Sequence, residues 1–102
     1  MDVNSSHATG RKRTPEAAAF AAQLRAERAV AGLSQDELAK RTGISKSTIL
    51  RLEAGTRVMD TAQLGAICRA LGITIATFAV RAEGRMLAER DEAPPDVAAG
   101  RS

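Results

Sequence analysis

Apolar residues recur along this chain at helical spacing, in five segments separated by glycines and capping residues, and no segment shows the alternation expected of a strand. This pattern predicts an all-α domain. The predicted N-caps of the five helices are Thr14, Ser34, Ser45, Asp60 and Thr74. In the same order, the helices are predicted to reach Ala31, Thr42, Gly55, Leu71 and about Arg90.

The first helix places an arginine among apolar residues. On a helical wheel, Arg28 falls in the middle of the face formed by Ala17, Phe20, Leu24 and Ala31. A guanidinium keeps its charge at any ordinary pH, so burying it without a partner would be costly. We therefore expect a carboxylate beside Arg28.

The fourth helix has one apolar face, on which Leu64, Ile67, Cys68 and Leu71 are spaced i, i+3, i+4 and i+7. We expect these four side chains to lie in the core. Cys68 is interpreted as a small buried apolar residue, and a redox role is the alternative.

The fifth helix has two apolar stripes, whereas packing on its own domain needs only one. We predict that the second stripe forms the interface of a two-fold homodimer, centred on Val80, Gly84 and Leu87. The alternative is a helix wedged between the first helix and the C-terminal tail, which would bury both stripes in one chain. The first stripe contains Ile75, Phe78, Ala79, Ala82 and Met86, and the second contains Ala76, Val80 and Leu87 around Gly84.

Composition narrows the possible functions. The 102 residues include a single histidine, His7, and a single cysteine, Cys68. An internal disulfide is therefore impossible, and a zinc site or a histidine-activated nucleophile is not expected. We accordingly expect no cofactor and no enzymatic activity. With no apolar run of membrane-spanning length and no signal peptide, the chain is expected to be cytoplasmic and nucleoid-associated, without a membrane partner.

Charge is unevenly distributed along the chain. Residues 1–57 contain 10 Lys and Arg against 6 Asp and Glu, whereas residues 58–102 contain 5 against 6. A basic half beside a near-neutral half is typical of a surface that faces a polyanion, backed by a packing module. We expect residues 1–14 to be a disordered basic tail, 15–92 to be the helical domain, and 93–102 to be a second disordered tail.

The stretch from Gln35 to Leu52 has the features of two short helices joined by a tight turn. Ala39 is small enough for a close helix crossing, and Gly43 tolerates positive φ in the turn. The apolar residues that would close the gap between the two helices are Leu38, Ile44, Ile49 and Leu52.

The outward face of the third helix is the main functional signal. It presents Lys46, Ser47, Leu50, Arg51 and Ala54, and the only acidic residue of this helix, Glu53, is placed at the margin of that face. Two cations, a hydroxyl and an exposed leucine are typical of a helix that reads base edges in the major groove.

Residues 33–55, from Leu33-Ser34-Gln35 to Glu53-Ala54-Gly55, resemble the Cro/repressor-type (XRE-family) helix-turn-helix, the lambda-repressor-like DNA-binding domain. The resemblance extends over roughly residues 20–80 and implies a compact bundle of five helices. It also implies a pair between Arg28 and Glu53, which would supply the carboxylate that Arg28 requires. Many members have glutamine at the position of Lys46 and asparagine at the position of Ala54, so their glutamine-to-adenine readout is not carried over.

The resemblance implies that Lys46, Ser47 and Arg51 contact bases, with Thr48 nearer the backbone. Phosphate contacts are expected from Gln35, Ser45 and Arg57. Several of these residues have an alternative role. Arg51 could be a phosphate clamp or form an ion pair with Glu37 or Asp36, and Lys46 could bind phosphate. Leu50 could contact a thymine methyl or simply be exposed, Ser45 could be only an N-cap, and Arg57 could be only a solvated charge.

Together these features predict a sequence-specific regulator of transcription that binds double-stranded DNA. The simplest form is a homodimeric repressor on a palindromic operator, read by residues 46–54. The alternative is the antitoxin of a toxin–antitoxin pair, which would bind both a toxin and its own operator.

Overall fold

A computed structural model describes the backbone of residues 14–92 and the side chains of residues 14–88. The predicted tails, at 1–14 and 93–102, lie outside these residues except for Thr14, which caps the first helix. The described chain contains five helices and no strand, which confirms the predicted all-α fold. Its helices are α1 (Pro15–Ala31), α2 (Gln35–Thr42), α3 (Lys46–Ala54), α4 (Thr61–Leu71) and α5 (Ile75–Glu92).

Local capping fixes where the helices begin and end. The Ser34 hydroxyl accepts a 3.0 Å hydrogen bond from the Glu37 backbone N–H, and the Glu37 carboxylate accepts one of 2.8 Å from the Ser34 N–H. These two bonds form a capping box at the predicted N-cap Ser34, and Asp60 and Gln63 form a second one at α4. Gly43 ends α2 at φ +76°, a conformation that side chains disfavour, so the chain can turn directly into α3.

The core lies where the apolar faces of all five helices meet. Six large side chains from these helices are at most 1% exposed: Leu24, Leu38, Ile49, Leu52, Ile67 and Phe78. The rings of Phe20 and Phe78 pack with centroids 5.5 Å apart, which joins α1 to α5. Cys68, 2% exposed, lies in this core as predicted, and desolvation, followed by the charge of Glu27, raises the pKa of its thiol.

Several residues are less buried than their helical faces predict. Ala31 is exposed and Ile75 is 43% exposed, because each is the terminal residue of its helix and lies where the chain leaves the bundle. Leu64 and Leu71 are half-buried and pack against the edge of the core.

A polar network that the sequence did not reveal joins α1 to α5. The Glu27 carboxylate, only 6% exposed, accepts hydrogen bonds from the Arg81 guanidinium at 2.6 Å and from the Gln23 amide at 2.8 Å. Arg85 donates to the Gln23 carbonyl oxygen at 2.6 Å. The bond from Arg81, together with that from Gln23, holds the pKa of Glu27 below its ordinary value of 4.5 although burial opposes the shift.

This shift predicts how acid affects stability. Because the folded-state pKa of Glu27 is depressed, its contribution is complete above the unfolded-state pKa and disappears as the pH falls through the folded-state pKa. Glu27→Gln should lower the free energy of unfolding by about 1 kcal/mol at pH 7, a small value because the Arg81 side chain is 53% exposed and solvent screens the pair.

Urea unfolding of both proteins at several pH values would measure this effect. The difference between wild type and Glu27→Gln should shrink as the pH falls below 4.5. Glu83→Gln removes the same charge from an exposed position in the middle of α5 and should leave the free energy of unfolding nearly unchanged. A Glu27→Gln difference independent of pH would contradict the assignment.

Among the described helices, none is by itself both long and apolar enough to cross a membrane. The α4 and α5 segments reach the required hydropathy only jointly, over a bend of 101°.

Candidate nucleic-acid interface

The position of α3 is determined by its apolar side, which packs against α2 and the rest of the core. Ile49 and Leu52 are fully buried, as is Leu38 on the facing side of α2. Ala39 and Ile44 are half-buried beside them, in the crossing and the turn where the sequence placed them. These contacts leave the opposite side of α3 facing solvent.

The exposed side of α3 is the one that the helical wheel predicted. Lys46, Ser47, Leu50 and Arg51 are all exposed, and Leu50 retains 44% of its accessible surface. The placement of Glu53 at the margin of this side is wrong, because its carboxylate points inward and only 4% of the residue is exposed. The outward surface of α3 therefore carries two cations and no carboxylate of its own.

Glu53 connects α3 to the two helices before it. Its carboxylate accepts two hydrogen bonds from Arg28, at 2.5 Å from Nε and 3.1 Å from Nη2, and one from the Gln35 amide at 2.9 Å. Arg28 also donates from Nη1 to the Leu33 carbonyl at 2.9 Å, and Arg25 donates to the backbone carbonyl of Glu53. The pair that the resemblance implied is present, and it holds the C-terminal end of α3 in place.

Gln35 occupies the first position of α2 and is half-buried. Its amide nitrogen is held by Glu53, so one of its two amide protons is already used and the other is available to an outside acceptor. Lys46, the first residue of α3, instead pairs with Asp36, with 3.2 Å between its Nζ and the carboxylate Oδ1. Asp36 and Gln35, adjacent in sequence, thus contact opposite ends of α3.

The N-terminus of α3 is capped by Ser45. Its hydroxyl accepts from the Thr48 backbone N–H at 3.2 Å and donates to the Thr48 hydroxyl at 2.9 Å. Thr48 is half-buried, whereas Ser45 and Ser47 are exposed. The capping role considered for Ser45 is therefore present.

Arg51 and Arg57 are exposed, one on α3 and the other in the loop that follows. Within residues 14–88, neither guanidinium forms a hydrogen bond or an ion pair. The ion pair considered for Arg51 with Glu37 or Asp36 is not formed, since Glu37 caps α2 and Asp36 pairs with Lys46. Both guanidinium groups are therefore exposed and unpaired among the described residues.

The second stripe of α5 is exposed, as the dimer prediction requires. Val80 is 67% and Leu87 49% exposed, Ala76 and Gly84 are also exposed, and a Cβ built on Gly84 would meet no atom within 4 Å. Packing against α1 therefore does not bury this stripe, while the C-terminal tail of the alternative arrangement lies outside the described residues.

Two features of the site and its support were missed by sequence reasoning. The pairs Gln23/Glu27 and Arg81/Arg85 are each spaced i, i+4, which could have indicated two facing polar patches. The Asp36–Lys46 pair joins different helices, and no periodic signal indicates it. In residues 14–88, no three His, Cys, Asp or Glu residues are arranged to hold a metal ion.

The model of the family described as a helix-turn-helix domain matches residues 19–80, more than half of the chain. The chain is similar to the clp gene regulator ClgR from Corynebacterium glutamicum, with 30% identity over 85% of this chain and 90% of that chain and a TM-score of 0.74. A second ClgR structure from C. glutamicum has 31% identity over 74% of this chain and 96% of that chain, with a TM-score of 0.68. No curated protein sequence matches the chain. The chain therefore belongs to the helix-turn-helix domain family of DNA-binding regulators.

Proposed function

We propose that this protein is a sequence-specific repressor of transcription that binds a palindromic operator as a homodimer. Each protomer places α3 in the major groove, where Lys46, Ser47 and Arg51 contact base edges and Leu50 packs on a thymine methyl. The protein has no catalytic role in this scheme and needs no cofactor.

The observation that carries the proposal is the outward side of α3. Its two cations lie within six residues of one short helix, and the one carboxylate of that helix is turned into the core. Arg51 is exposed and bound to no described side chain, so its planar fork is available for the O6 and N7 atoms of guanine. A face that served only solubility would more often mix both signs of charge.

Phosphate contacts would supply most of the affinity. Gln35 keeps one amide proton for a phosphate oxygen, and Arg57 projects freely from the loop after α3. The Ser45 hydroxyl and the backbone N–H groups at the start of α3 are close to the same surface. Binding that depends on such contacts weakens steeply as salt concentration rises.

The exposed stripe of α5 supports the homodimer. Ala76, Val80, Gly84 and Leu87 lie on one face, and glycine inside a helix costs stability unless close approach of another element makes use of it. A two-fold axis through this stripe would present two copies of α3 to grooves about 34 Å apart on one side of the duplex.

Regulation of a gene is proposed from the similarity to ClgR, which is described as a clp gene regulator. Occupying an operator blocks polymerase without any further activity, so repression is the simplest output of this domain.

Selection of bound sites from random duplex DNA tests the proposal. Wild type should enrich a two-fold symmetric sequence, with binding that falls as salt increases. Arg51→Ala should lose preference at one base pair of each half-site, a loss of about 1–3 kcal/mol of discrimination, because no other side chain replaces the guanidinium fork.

Arg69→Ala is the matched control, since it removes an exposed guanidinium from α4, outside the helix-turn-helix. It should leave the selected sequence unchanged. Circular dichroism should show unaltered helicity in both variants. Equal preference by wild type and Arg51→Ala at every position would exclude base contact by Arg51, and a wild type that enriches no sequence would refute the proposed function.

A further inference from the structure

An acidic side chain lies at the edge of the proposed DNA-binding surface and contacts one of its cations. Asp36 Oδ1 lies 3.2 Å from Lys46 Nζ, and the two side chains are 62% and 53% exposed. Both residues belong to the first turn of their helices, so the pair spans the N-terminal ends of α2 and α3. These ends are where the proposed phosphate contacts are made.

A carboxylate at this position is unfavourable for non-specific binding to DNA. DNA presents dense negative charge, and non-specific binding comes almost entirely from neutralising it with lysine and arginine. Asp36 repels phosphate and also cancels the charge of the cation beside it. A surface adapted only to hold any duplex would carry a neutral residue here.

Lys46 is likewise poorly explained by helix stability. It is the first residue of α3, where the positive end of the helix dipole disfavours a cation, and the first turn of α3 has no acidic residue of its own. Glu37, the other acid in the first turn of α2, is occupied by its capping box with Ser34. Asp36 is therefore the carboxylate that stabilises and orients the Lys46 ammonium.

An ammonium held in this way favours one kind of acceptor over another. It has three N–H donors and no acceptor, so the ion pair with Asp36 leaves donors available for DNA. A phosphate oxygen gains less from an ammonium that is already neutralised, and it is repelled by the carboxylate. The uncharged O6 and N7 atoms of guanine can accept a hydrogen bond without that full repulsion.

We propose that Asp36 is a positioning residue that holds the Lys46 ammonium for a base edge and keeps it off the phosphates. Asp36 thereby lowers affinity for unrelated DNA and raises sequence discrimination. This inference rests on the proposed function, in which Lys46 contacts a base edge, and it gives the reason why Lys46 does not bind a phosphate instead.

Asp36→Asn removes the charge with little change in shape. With Lys46 free to contact phosphate, an unrelated duplex should bind about threefold to tenfold more tightly at low salt, and the slope of log K against log salt should steepen by about 0.9, the value of one added phosphate contact. The ratio of affinities for the selected duplex and its scrambled counterpart should fall about fivefold to tenfold.

Three variants separate positioning from simple charge removal. Glu16→Gln also removes an exposed acid from the first turn of a helix, so it controls for net charge and for the helix dipole, and it should leave the affinity ratio unchanged. Asp36→Glu keeps the carboxylate and should retain most of the discrimination. In a Lys46→Met background, Asp36→Asn should no longer steepen the salt slope.

Unchanged slope and ratio in Asp36→Asn would overturn the inference and leave Asp36 as a surface residue. The same shift with and without Lys46 would also overturn it, because Asp36 would then act through its own charge alone. Both results presuppose that wild type prefers the selected duplex. If wild type showed no salt-sensitive preference for any duplex, the proposed function itself would fail, and the inference would fail with it.

Discussion

Replacing Glu53 with alanine should lower the free energy of unfolding by about 3–5 kcal/mol, the cost of leaving a buried cation without its partner. Three hydrogen bonds end on this carboxylate, two from Arg28 and one from Gln35. Without it, the Arg28 guanidinium would remain at the interior of the α1–α3 contact with only the Leu33 carbonyl as acceptor.

The converse variant, Arg28→Ala, should lower the free energy of unfolding by a similar amount, about 3–5 kcal/mol, because it leaves the Glu53 carboxylate, whose side chain is only 4% exposed, with the Gln35 amide as its one remaining hydrogen-bond donor among the described side chains. Urea unfolding at neutral pH would measure both values. Combining the two changes should cost less than the sum of the single effects, since neither charge would then be left alone.

Arg41→Ala is a suitable control, because Arg41 is exposed in the last turn of α2 and forms no ion pair with a described side chain. Its free energy of unfolding should change by less than about 0.5 kcal/mol. If Arg28→Ala and Glu53→Ala each changed the free energy of unfolding as little as this control does, the ion pair would be shown to be accessible to water.

If the protein forms the proposed homodimer through α5, Leu87→Glu should yield monomers and weaken binding to a palindromic duplex by a factor of about 100 or more. The leucine is 49% exposed in the single chain, so the substitution leaves the core intact and acts only where a second protomer would cover it. Burial of a carboxylate in an apolar seam without a partner prevents association. Binding to a duplex with one half-site should change little.

Sedimentation velocity would give the oligomeric state, and titration of one-site and two-site duplexes would give the affinities. Val30→Glu makes the same kind of change at a residue that is 85% exposed on α1, and it should remain dimeric. A Leu87→Glu protein that is still a dimer would show that the dimer interface lies elsewhere on the protein. If wild type itself were monomeric and co-purified with a small protein, the antitoxin alternative would gain support.

The helices could be predicted closely because their boundaries depend on short-range chemistry. A hydroxyl or carboxylate that caps a helix acts on residues at most three positions away, and Gly43 ends α2 through its own backbone conformation. The wheel of α3 also gave the correct inward and outward sides, since Ile49 and Leu52 leave only one way to pack a short helix.

Contacts between side chains of different helices could not be predicted in this way. The Asp36–Lys46 and Glu27–Arg81 pairs depend on how closely two helices approach, which no single segment encodes. The ion pair of Arg28 was an exception, because a cation in the centre of an apolar face needs a carboxylate partner even when the position of that partner in the sequence is not known. The resemblance then indicated which residue that partner is, and the structure confirmed Glu53.

The buried and exposed sides of α3 have different roles, although their residues are neighbours in the sequence. Ile49, Leu52 and Glu53 anchor the helix, whereas Ser47, Leu50 and Arg51 make no described side-chain contact with the interior. Under the proposed function, exchanging the outer residues would therefore redirect the protein to another duplex while leaving its scaffold unchanged. Folding and choice of target are thus separable properties of one nine-residue helix.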